Sequence, residues 1–120
     1  MEYRFINPEY LDSVSGGDPV IIKELVDIFR EQVSEIVDSM ITARENKDYT
    51  QLALLAHKVK SSVAIMGMAD LATMLKTFDL KAREATDTGS YESYIERLRS
   101  DTASAIVELD DLISKRAGNS

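Results

Sequence analysis

The sequence predicts an all-α fold: an antiparallel up-down-up-down four-helix bundle with a short extra helix at its N-terminal end. Three observations predict it. Apolar residues recur three and four apart over most of the 120 residues, as the buried stripes of amphipathic helices do. No stretch alternates with the period of two that a half-buried strand requires. Proline, glycine and serine signals divide the chain into five helical stretches joined by short connections, which favour antiparallel neighbours.

Asn7-Pro8 sets a capping side chain before a proline at the first helical position, starting a short helix that runs to about Val14. Ser15-Gly16-Gly17 ends it. Asp18-Pro19 repeats the start signal, and Ile22, Leu25, Phe29, Val33, Ile36, Met40 and Ala43 then form the inward face of a long helix to about Asn46. Asp48 caps the third helix, with Gln51 three residues on as in a capping box, although aspartate replaces the usual serine or threonine. Gly67 interrupts the pattern, and a fourth helix carries Leu71, Leu75, Phe78, Ala82 and Ala85 on one face. Thr88-Gly89-Ser90 reads as a turn with a helix-capping serine. The last helix turns Ile95, Leu98, Thr102, Ala105, Leu109 and Leu112 inward, then frays into Ala117-Gly118-Asn119-Ser120. The methionines, Met66, Met68 and Met74 among them, read as core filler. With no internal repeat, linker or low-complexity segment, residues 1–120 read as one domain, long enough to bury a self-sufficient core.

Composition narrows the function. Hydrophobic residues at 44% and charged ones at 29% match ordinary globular usage, so neither disorder nor a fibre is favoured. Cysteine is absent, which removes disulfides, thiolate metal sites and cysteine nucleophiles together. The 14 basic and 21 acidic residues give a net charge of −7, with the acidic residues spread along the helices. Binding a phosphate backbone needs clustered lysine and arginine, so nucleic acid is not expected as a partner, nor is an anionic membrane. No apolar run approaches the roughly 20 residues of a membrane span. Met1-Glu2-Tyr3-Arg4 opens neither a signal nor a transit peptide, and the expected location is cytoplasmic.

The sole histidine, His57, lies in the run Ala56-His57-Lys58-Val59-Lys60-Ser61-Ser62. On a wheel of about 100° per residue with Leu52 at zero, Leu52, Leu55, Ala56, Val59, Val63 and Met66 fall within an arc of roughly 100°, the width of a buried stripe. His57 falls at about 140°, with Lys60, Ser61 and Ala64 at about 80°, 180° and 120°. These four share one patch, because residues three, four and seven apart are helix-surface neighbours. Leu54 and Ile65, at about 200° and 220°, border it as exposed apolar residues and suggest a docking surface. Ser62, at the edge of the stripe, is expected to bond a backbone carbonyl one turn back. A solitary surface histidine is ordinarily a solvated polar residue, and a lysine on a wet face is equally ordinary; it is the company they keep that gives them meaning. A neutral imidazole has one ring nitrogen whose lone pair is free to attack.

The run around His57, followed by Gly67 ten residues after the histidine, resembles the signature of histidine-containing phosphotransfer (HPt) domains: a histidine, a lysine three later, a small residue four later and a glycine ten later. Gly17-Asp18-Pro19 leading into Leu25-Val26-Asp27-Ile28-Phe29 is similar to the family's opening helix, so the resemblance covers most of the chain. It implies that His57 accepts a phosphoryl group from an aspartyl phosphate on a response-regulator receiver domain, charged by a hybrid sensor histidine kinase, and passes it to another receiver's aspartate. It implies that Lys60 lies beside the phosphoryl oxygens and that Leu54, Lys58, Ser61, Ala64 and Ile65 meet the receiver. Ser61 departs from the family's usual glycine, which leaves open space beside the imidazole; serine reads as a tuning of access. Lys58 and Lys76 add to the local positive field.

Phosphoryl transfer relies on positioning and on charge neutralisation, parts that usually come with Mg²⁺ and a lysine. No carboxylate cluster can be placed beside His57 from the sequence, so no cofactor is expected on this chain and Mg²⁺ is expected on the partner receiver. The expected activity is that of a phosphocarrier, not of a kinase. Two alternatives stand beside it: a phosphorylation-incompetent adaptor that docks on receiver or kinase domains through the same surface, and an excised phosphoacceptor domain of a chemotaxis-type histidine kinase. An enzyme with a metal site in the bundle core would need several inward glutamates and histidines, which one outward histidine cannot supply.

Overall fold

The structure, a computed structural model, describes residues 3–118. Five α-helices follow one another: α1 (Pro8–Ser15), α2 (Pro19–Glu45), α3 (Tyr49–Ile65), α4 (Ala69–Glu84) and α5 (Tyr91–Gly118), with a 3₁₀ turn at Thr88–Ser90 leading into α5. No strand occurs among the described residues. The molecule measures 49 × 22 × 20 Å. At 1.5 Å per residue a helix as long as α5 spans about 42 Å, so the long helices lie along the long dimension.

Helix α2 packs on α3 and α5, and α4 packs on the same two, which closes a ring of four helices around a common core; α1 lies against α2 and α3. Val26, Phe29 and Met40 of α2 share one core with Leu52, Ala56, Val59 and Val63 of α3, Leu75 and Phe78 of α4, and Leu98, Ala105 and Leu109 of α5, all buried. Each such leucine or phenylalanine stabilises the fold by about 1.5–3 kcal/mol relative to exposure. Of the face expected on α2, Leu25 alone is only partly buried. Met40, Met66, Met68 and Met74 are core residues.

The first three helix starts are built as their sequences predict. Asn7 Oδ1 accepts from the Tyr10 N–H at 3.2 Å, Asp18 Oδ1 from Val20 at 2.9 Å, and Asp48 Oδ1 from Gln51 at 3.2 Å. The capping box at Asp48 is only half made, because the Asp48 N–H donates back to the Ala43 carbonyl at 2.8 Å. One residue thus finishes α2 and starts α3, with Lys47 between them at φ 55°. Ala85 is not inward as its spacing suggests: it is exposed and ends α4 in the left-handed conformation, its N–H donating to Ala82. Ser90 does not cap as an acceptor either; its hydroxyl donates to the Asp87 carbonyl at 2.7 Å. Helix α5 continues to Gly118 instead of fraying at Ala117, and Asn119 and Ser120 lie outside the described residues.

A strap of residues before α1 ties the bundle together. The buried Glu108 of α5 accepts from three successive backbone N–H groups, those of Arg4, Phe5 and Ile6, at 2.9–3.3 Å. Tyr3 donates to Asp111 at 2.8 Å. At the other end of the strap, the Asn7 N–H donates to the Met66 carbonyl at 3.3 Å, which anchors the turn that follows α3.

Candidate functional site

Helix α3 carries the site, and its rotation is set by the stripe that it buries. Leu52, Leu55, Ala56, Val59, Val63 and Met66 are all buried, as the wheel requires, with Ala53 added at the edge. The opposite side therefore faces water. His57, Lys58 and Ser61 are exposed, Lys60 and Ala64 are half-buried, and Leu54 and Ile65 are exposed, Leu54 at 58%. Since α3 is one unbroken helix, His57, Lys60, Ser61 and Ala64 occupy one surface patch. Lys76 is exposed on α4.

The imidazole side chain is 62% exposed, and its Nδ1 stands 3.4 Å from Oδ2 of Asp79 on α4. That separation is longer than a formed N–H···O bond and short enough to close into one. Helix periodicity alone does not bring this single carboxylate to the ring; the packing of α4 against α3 does. Asp79 is buried, its side chain only 6% exposed, and Nη2 of Arg83, one turn on, donates to both carboxylate oxygens at 2.9 and 3.2 Å. A buried carboxylate needs compensation of this kind, since an unpaired one would be strongly destabilising. Nδ1 is thus the ring nitrogen that lies beside the carboxylate.

Ser62 does not bond back to its own helix. Its hydroxyl donates to the Gln32 side-chain oxygen on α2, a polar bridge between the two helices. This bridge lines a shallow, mostly apolar groove together with Leu25, Ile28 and Phe29 of α2 and Ile65 and Met66 at the end of α3. Ile28 is 62% exposed, so the apolar border of the histidine patch extends onto α2. Sequence reasoning missed Asp79, Arg83 and Ile28. The signal for the first two was present: on a wheel with Leu71 at zero, Asp79 lies at about 80°, only 40° from Leu75, and an arginine follows it at the i+4 spacing.

A helical bundle that buries one face of α3 and presents its single imidazole on the other has the form expected of a histidine phosphotransfer domain. Residues 24–115 match the family model of the Hpt domain, and the chain belongs to that family. Comparison with curated proteins and with solved structures gives no match. Family membership makes the chain a component of two-component phosphorelays, and Hpt domains act there as phosphocarriers that meet receiver domains and kinases. No helix among the described residues is long and apolar enough to cross a membrane.

Proposed function

We propose that this chain is a one-domain, antiparallel up-down-up-down bundle that carries a phosphoryl group on His57 between two receiver domains. One receiver, charged by a hybrid sensor histidine kinase, brings the aspartyl phosphate; another takes the group away. The single observation that carries the reading is the exposed imidazole of His57 with Nδ1 3.4 Å from the buried Asp79 carboxylate. The Nε2 lone pair attacks phosphorus, the bond from phosphorus to the aspartyl oxygen breaks, and the carboxylate leaves with that electron pair. The ring keeps its Nδ1 proton and so becomes cationic. Asp79 supplies the matching negative charge, which lowers the energy of the phosphorylated state and of the transition state leading to it. Lys60, one turn from His57, faces the phosphoryl oxygens, and Ser61 leaves room for the receiver.

Mg²⁺ belongs to the receiver in this reading. Leu54, Lys58, Ala64 and Ile65, joined by Ile28 and Leu25 on α2, form the surface on which the receiver sits. In this reading the chain works in the cytoplasm alongside its receivers. The test mixes the protein with a phosphorylated receiver and Mg²⁺ and follows acid-labile, base-stable phosphate. Transfer is expected to wild type and to vanish in His57→Ala with the helical circular dichroism unchanged. Phosphate appearing on His57→Ala would overturn the assignment, and docking without any transfer to wild type would make the chain an adaptor.

A further inference from the structure

We infer that Arg83 is a positioning residue for the phosphoacceptor: acting through Asp79, it fixes which ring nitrogen of His57 carries the proton. The site already described needs a hydrogen on Nδ1 and a lone pair on Nε2. Asp79 by itself does not guarantee either. The terminal torsion of an aspartate is broad and roughly two-fold, so a carboxylate held by one neighbour alone can swing its oxygens away from the ring.

Arg83 removes that freedom. Its Nη2 lies 2.9 Å from Oδ1 and 3.2 Å from Oδ2, bridging the outer edge of the carboxylate, while Oδ2 also faces His57 Nδ1 at 3.4 Å. The three groups form a chain from an exposed guanidinium, through a buried carboxylate, to an exposed imidazole. Asp79 and Arg83 are one turn apart on α4, so the helix sets their relative placement before any partner arrives. An i,i+4 ion pair on a helix surface usually contributes little. This one differs because its acid is enclosed, and because it holds both oxygens, Oδ1 at 2.9 Å and, at 3.2 Å, the Oδ2 that faces the imidazole. Among the described residues, the cationic or titratable groups at ion-pair distance from Asp79 are Arg83 and His57.

The inference rests on the phosphoacceptor reading only for its kinetic arm. The structural arm is ¹⁵N NMR of the imidazole at about pH 9, where a free ring is neutral and its two tautomers are distinguished by nitrogen shifts. Wild type is expected to show predominantly the Nδ1–H tautomer. Arg83→Met is expected to relax toward the mixture of an unconstrained histidine and to slow transfer about three- to tenfold. Arg83→Lys restores a single bridging nitrogen and is expected to return the tautomer and bring the rate within about twofold of wild type.

Because Arg83→Met leaves a buried carboxylate without its cation, the double variant Asp79→Asn with Arg83→Met is measured beside it. There the acid is neutral, the fold is relieved of an unpaired charge, and a mixed tautomer is still expected. A folded Arg83→Met protein with the wild-type tautomer and rate would overturn the inference. If wild type accepts no phosphoryl group, the phosphocarrier reading fails alone, and the nitrogen shifts still decide the role of Arg83.

Discussion

Asn7 crosses Gly67 so closely that a methyl group on the glycine would stand 2.5 Å from the Asn7 Cβ and 2.6 Å from its backbone nitrogen. Gly67 also sits at φ 79°, where any L side chain is strained. The glycine ten residues after the histidine is therefore needed twice in this chain, once for its own conformation and once for the strap above it. Gly67→Ala is expected to lower stability by about 2–4 kcal/mol, the sum of left-handed strain and overpacking. Gly16 provides the control: its φ is 71° but a methyl group there would meet nothing within 4 Å, so Gly16→Ala is expected to cost only about 1–2 kcal/mol. Equal losses in urea titrations of the two variants would remove the packing role of Asn7.

Lys60 lies one turn after His57 and is half-buried. Charge neutralisation dominates phosphoryl transfer, so Lys60→Ala is expected to slow phosphorylation of His57 by about 10- to 100-fold. Its thermal midpoint is expected to move by no more than about 2–4 °C, the shift of a surface substitution. Single-turnover rates with a phosphorylated receiver measure the first quantity. A rate equal to wild type would reduce Lys60 to a solvated side chain.

The proposed docking surface gives an affinity prediction with little effect on folding. Leu54 on α3 and Ile28 on α2 are both more than half exposed, so replacing either with serine removes little buried area within the monomer. Buried beneath a receiver, each would contribute about 1.5–3 kcal/mol. Leu54→Ser and Ile28→Ser are expected to weaken receiver binding at least tenfold, read by titration calorimetry, with unchanged circular dichroism. Val107 on α5 is as exposed as Leu54, and Val107→Ser is expected to bind normally. Equal weakening by all three would mean that the interface is not the α2–α3 face.

Periodicity made the helices and the facing of His57 legible, because a buried stripe fixes the rotation of its helix and everything opposite it. Starts were clearer than ends. Asn7, Asp18 and Asp48 are capping residues by type, whereas α4 ends on Ala85 in a left-handed conformation that no glycine announces. Ala85 continued the apolar spacing and so looked inward. What the pattern could not show was contact between helices. Asp79 reads as a polar residue at a stripe's margin until α4 is laid against α3, and Ser62 looks like a residue bonded to its own helix until Gln32 appears opposite it. Pairings of that kind depend on how two wheels are set against each other, which neither wheel contains.

Glu108 tests the strap that Gly67 accommodates. Its Oε1 accepts from Arg4 at 3.1 Å, Phe5 at 2.9 Å and Ile6 at 3.3 Å, while Oε2 takes a second contact from Arg4 at 3.0 Å. Truncation leaves these donors without their acceptor under a bundle surface where Glu108 itself is buried, and Glu108→Ala is expected to destabilise by about 2–4 kcal/mol. Glu108→Gln keeps one oxygen, which can take the Oε1 place with its three donors, but turns an NH₂ group toward the Arg4 N–H; about 1 kcal/mol is expected. Hydrogen exchange separates this from a general loss of core packing. In Glu108→Ala the amides of Arg4, Phe5, Ile6 and Asn7 are expected to exchange at rates above those of Leu75 and Leu98 by more than the global stability change accounts for. Uniform acceleration across strap and core would show that Glu108 supports the bundle as a whole and does not hold the strap in particular.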